Sequence, residues 1–176
     1  SCSLVGSEMC IRDSIDCEYP MIATARLSGM MLDYPKLLDK GIGGLRSDLQ
    51  EKLKEQPDNN FYKAGIQCLD IFVDCASHLQ QDAREQMASA NMKRQKELER
   101  ICQALENIKE KKPGTFHEAM QLFWLFALLA GVINYGRLDD YLGPYLVADL
   151  KSGRLTDEEA YRYIPVSYTH LRAHET

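Results

Sequence analysis

The stretch PGTFHEAMQLFWLFALLAGVINYGRLDDYLGPY, residues 113–145, decides how this chain folds. Pro113-Gly114 is a breaker pair, and Thr115 stands three residues before Glu118. That spacing is a capping box, in which hydroxyl and carboxylate each satisfy an orphaned backbone donor, and it predicts a helix from about Phe116. From Met120 to Ile133 the only strongly polar side chain is Gln121, so the helix has almost no wet face. A helix apolar all round is buried in a large protein or crosses a membrane. A crossing needs roughly 20 apolar residues, and this run is too short. It is a buried helix. A chain of 176 residues offers few neighbours to cover it on every side, so either the other helices wrap it closely or the chain is a piece of something larger, and the second is favoured. Alone, it would expose an apolar patch beyond what soluble monomers usually tolerate.

Upstream, Asp33-Tyr34-Pro35 starts a short helix, with proline where its missing donor costs nothing; Leu37 and Leu38 give its apolar face and Gly41 ends it. Leu45, Leu49 and Leu53 then recur every four residues, an amphipathic helix broken by Gln56-Pro57-Asp58. Asn59 or Asn60 caps a long helix with a broad apolar stripe: Ile66, Leu69, Ile71, Phe72, Val73, Cys75, Ala76 and Leu79. Cys68 shares that stripe with Cys75. The pair reads as a redox or radical site, or as two small core residues, and the second reading is preferred because free cysteine is usually buried. Met92 to Lys112 is a further amphipathic helix with a mixed-charge rim. Its Lys109, Lys111 and Lys112 fit a last turn that complements the helix dipole, in preference to a phosphate site.

Downstream, Asn134-Tyr135-Gly136 breaks the apolar run. Arg137 pairs with Asp139 or Asp140 to fix the turn, or holds a substrate carboxylate; structural pairing is preferred. Tyr141 to Lys151 reads as a helix stopped at Gly153, and Thr156 to Glu159 is a second capping box opening a helix through Ala160 and Ile164. Before all this, Ile22 to Leu27 reads as a short strand. His117, in the first turn of the buried helix, is the one candidate acid or base, and nothing near it in sequence completes a catalytic set.

A net charge of −5 gives no reason to expect nucleic acid or an anionic membrane as partner. Six cysteines without regular spacing suit a reducing compartment. No glycine-rich phosphate loop, CxxC pair or serine-centred nucleophile motif is present. The ends stand apart: SCSLVGSEMCIRDS (1–14) and PVSYTHLRAHET (165–176) resemble translated sequencing adapter. The expected division is therefore 1–14 and 165–176 as non-native tails and 15–164 as a partial domain. His170 and His174, four apart as metal ligands on a helix would be, fall in the tail and lack the following Glu of a zinc-protease motif.

Four blocks resemble the glycyl radical enzymes, the pyruvate formate-lyase family. Pro113 to Trp124 is similar to its P-x-T-F-x-E-A-L-Q-x-x-W, and Gly136 to Tyr145 to its G-R-F-D-Q-Y-x-x-P-Y. Asp149 to Ala160 resembles D-x-x-x-G-x-L-T-x-E-E-A, and Asp33 to Ile42 resembles D-Y-x-K-V-L-x-x-G-L. The Gly-His-Ser triplet that often precedes the second block in diol dehydratase-like members is replaced by Ile133-Asn134-Tyr135. The resemblance implies a mainly α fragment, the helical wrapping of a ten-stranded α/β barrel, from the N-terminal half of a cytoplasmic enzyme. It implies a formate acetyltransferase or a dehydratase or lyase. The parent would be a homodimer acting on a small-molecule substrate through a protein glycyl radical. An activating enzyme with S-adenosylmethionine and an iron–sulfur cluster would install that radical. The cysteine loop and the radical glycine are not in this sequence, so no catalytic, cofactor-binding or metal-binding residue is assigned and the chain alone is expected to be inactive. The alternative is a small helical module that binds a partner through Phe116 to Ile133 without catalysis.

Overall fold

A computed structural model describes residues 31–132 and 134–161. The strand expected at Ile22 to Leu27, the histidines of the tail, Cys17 and Ile133 lie outside them. Among the described residues five helices are complete, in order α1 (Tyr34–Glu55), α2 (Asn60–Met87), α3 (Met92–Ile108), α4 (Phe116–Ala130) and α5 (Leu138–Lys151). Among the described residues the only β pairing is one parallel bridge, Met31 to Asn134. The fold is helical, as expected of this part.

The helix starts follow local chemistry. Asp33, Asn59, Asn91 and Thr115 each accept a backbone N–H of the first turn that follows, so four of the five helices open on a side-chain cap. The stops follow glycine and the neighbours. Helix α1 is really two helices joined at Gly41, whose φ of 65° and ψ of 178° lie outside the helical region. Helix α4 stops at Ala130, before the end of the apolar run. Gly131 adopts φ 65°, and the N–H groups of Gly131 and Val132 bond the Leu128 and Ala127 carbonyls, the crossed pair of a Schellman stop. The expectation of an uninterrupted run to Ile133 overlooked that glycine.

Helix α4 is the centre of the structure and touches each of the other four helices. Phe116, Ala119, Leu122, Phe123, Leu125 and Ala127 are buried in one core with Tyr34, Leu38, Ile42, Phe72, Leu105, Ile108 and Leu142. Only its last turn lacks cover, with Leu128 62% and Leu129 44% exposed. Helices α2 and α3 form the most extensive pair, and their far end has a small cluster of its own around Ala83, Leu98 and Cys102.

Two sequence expectations fail here. Helix α3 ends at Ile108, not Lys112, because the backbone that follows is committed elsewhere: the Glu110 carbonyl accepts the Gly43 N–H of α1 at 3.1 Å. Lys109 therefore does not serve a last turn. Its ammonium donates to Gln80 Oε1 at 2.8 Å and Glu106 Oε2 at 3.0 Å. Cys68 is exposed and Cys75 half-buried, so they are not a core pair. The apolar arc of α2 is wider than its neighbours can cover, and Cys68 lies on the uncovered side.

Candidate functional site

The most elaborate polar arrangement among the described residues surrounds the start of α4. Thr115 Oγ1 accepts the Glu118 N–H at 3.2 Å, the first half of the expected capping box. The second half is displaced by one residue: Glu118 Oε2 accepts from the Gly114 N–H at 2.7 Å, while Oε1 accepts from Asn107 Nδ2 at 2.7 Å. The carboxylate thus ties α3 to α4 as well as capping. A third acceptor comes from far along the chain. Asp149, only 5% exposed near the end of α5, accepts the Phe116 N–H on Oδ2 at 2.7 Å. Its other oxygen accepts from Arg154 Nε at 2.8 Å and Nη2 at 2.7 Å. A carboxylate at a helix N-terminus also meets the positive end of the helix dipole. The second capping box, Thr156 with Glu159, closes in both directions as expected.

Next to this lies an aromatic corner where residues 31–34 meet 134–137. Tyr34 stacks on Tyr141 at 5.2 Å and meets Phe123 edge-on at 4.9 Å. Tyr135 meets Phe123 at 5.4 Å. The Tyr141 hydroxyl donates to the Tyr135 carbonyl at 2.7 Å and that of Tyr145 to the Leu38 carbonyl at 3.1 Å. Tyr34 has a buried hydroxyl without a hydrogen-bond partner, and burial, followed by Tyr135, pushes it up to about 12. Arg137, at the edge of the corner, pairs with Asp139 at 2.7 Å, both well exposed. This is the structural use expected of it, and a pair so exposed contributes little stability.

His117 is half-buried. Burial first, and then the Arg100 guanidinium, hold its imidazole below the ordinary 6.5, with Glu118 opposing. The neutral form expected from its place in the first turn is favoured, chiefly through desolvation. A histidine depressed in this way binds fewer protons folded than unfolded. Its contribution is fully present above the unfolded value of 6.5 and is lost as pH falls from there through the lower folded value. His117→Gln is expected to flatten the fall in stability between about pH 7 and about pH 5, measured as the denaturant midpoint against pH. An unchanged slope would refute the assignment. His78 sits on the exposed side of α2 with Nδ1 2.8 Å from the Asp74 carbonyl, a local bond within one turn.

The described cysteines are dispersed over two helices. The Cys102 thiol is buried and donates to the Gln80 carbonyl at 3.6 Å, while Gln80 Nε2 donates back to the Cys102 carbonyl at 2.9 Å. Among the described residues no group of three or more His, Cys, Asp or Glu is arranged to hold a metal ion, and no helix is long and apolar enough to cross a membrane. What this region can do chemically is hold helices in fixed register: it caps, pins and packs. Asp149 and Gln80 are the polar residues that sequence reasoning missed. The available signal was weak, a single carboxylate in the apolar face of α5 with Arg154 five residues on.

Residues 6–176 match the family model described as pyruvate formate lyase-like. The chain is 31% identical over 159 residues to (2S)-3-sulfopropanediol dehydratase of Klebsiella oxytoca, covering 81% of this chain and 19% of that protein. It is 29% identical over 149 residues to isethionate sulfite-lyase of Bilophila wadsworthia, covering 75% and 18%. In structure it is similar to a glycyl radical enzyme from Archaeoglobus fulgidus, with TM-score 0.69, 26% identity and coverage of 79% of this chain and 20% of that one. The chain spans about a fifth of the length of these curated relatives.

Proposed function

This chain belongs to the pyruvate formate lyase-like family, and from that premise we propose that it is the N-terminal helical part of a larger glycyl radical enzyme of the dehydratase or lyase type. The observation that carries the reading is the agreement between the family match along the sequence and the structural likeness to a glycyl radical enzyme. The relatives are named for dehydration and for release of sulfite, which favours elimination from a small hydroxylated molecule over acetyl transfer to formate. In the parent, a glycyl radical would supply hydrogen-atom abstraction, installed by an activating enzyme using S-adenosylmethionine and an iron–sulfur cluster. The parent would act as a cytoplasmic homodimer.

The described cysteines do not fit that chemistry. Cys102 is buried and bonded to the Gln80 carbonyl, and Cys68 and Cys75 lie mid-helix on α2. No radical step is assigned to them, and the catalytic cysteine and radical glycine are placed in the remainder of the parent. The part played by residues 31–161 is architectural. Helix α4 is the packing centre, and its bare last turn at Leu128 and Leu129 is where that remainder would cover it. Residues 15–164 are the native portion in this proposal, supported by the adapter-like character of both ends; the bounds of the family match take in residues 6–14 of the first end and the whole of 165–176.

Reading the gene on both sides of the codons for residues 1–176 tests all of this. The expected result is that the end strings vanish and the frame runs on to a cysteine loop and a glycine motif. A stop directly after Thr176 in the source DNA would remove the radical machinery and sink the enzyme reading.

A further inference from the structure

We draw no further inference here: the strongest candidate, the aromatic corner where Tyr34 packs against Phe123 and Tyr141 and its buried hydroxyl has no hydrogen-bond partner among the described residues, carries nothing because no observation in the structure shows what would meet that oxygen.

Discussion

Asp149→Ala is expected to cost roughly 3 kcal/mol of stability, one of the two largest losses expected from a single substitution here. The carboxylate is buried, and it is the acceptor that α5 presents to the Phe116 N–H at 2.7 Å. Removing it deprives a buried donor of its acceptor, which costs more than an average hydrogen bond contributes, about 1–3 kcal/mol. It also removes an anion from a helix N-terminus. The Arg154 side adds less. Its side chain is 53% exposed against 7% for Asp149, so the guanidinium can rehydrate and the ion pair is discounted accordingly. Asp149→Asn keeps one acceptor oxygen for the Phe116 N–H but loses the charge and replaces the oxygen that Arg154 uses by an NH2 donor, so about half the loss should return. Denaturant midpoints at unchanged slope measure both. If Asp149→Ala unfolds within about 0.5 kcal/mol of the parent chain, the pin is not holding α5 to α4.

Gly41→Ala is expected to be at least as severe, at roughly 4 kcal/mol, from two additive causes. The φ of 65° with ψ of 178° lies in a region open essentially to glycine alone, at a strain of about 1–3 kcal/mol for any other residue. The added Cβ would also stand 2.7 Å from the Lys112 nitrogen and 2.8 Å from the Lys111 carbonyl. Those are backbone atoms, which cannot swing aside as the end of a side chain can. Two residues on, a Cβ at Gly43 would meet the Glu110 oxygen at 2.3 Å, the oxygen that accepts the Gly43 N–H. The kink in α1 is thus a seat for the segment after α3. Gly153→Ala separates the two causes: its φ is 70° but nothing lies within 4 Å of the added carbon, so only strain of about 1 kcal/mol is expected. Equal losses at Gly41 and Gly153 would show that the close approach contributes nothing.

Much of the fold was legible in local chemistry. The Thr115 cap, the Asn59 cap, the breaks at Gly41 and at Gln56 to Asp58, and the central place of the helix from Phe116 all follow from residues within a few positions of one another. That holds because a cap, a turn residue and a 3.6-residue period act over one or two helical turns. The family was legible too, because its motifs are short contiguous blocks. The candidate site was less so. Thr115 and Glu118 were readable, but the third acceptor at that helix start, Asp149, is 33 residues away from Phe116, and no periodicity links the two.

What the sequence determined by itself is therefore the set of helices, most of their starts but few of their stops, and the choice of α4 as the buried one; helix α5 begins at Leu138, three residues before the expected Tyr141. The tertiary structure alone decided which side of α2 is buried, leaving Cys68 and Ile71 outside. It also sent Lys109 to Gln80 and fitted the glycines of α1 to the backbone at 110–112. The physical reason is one of range. An apolar residue specifies that it should be covered, but only the packed neighbours specify by what, and where the cover runs out.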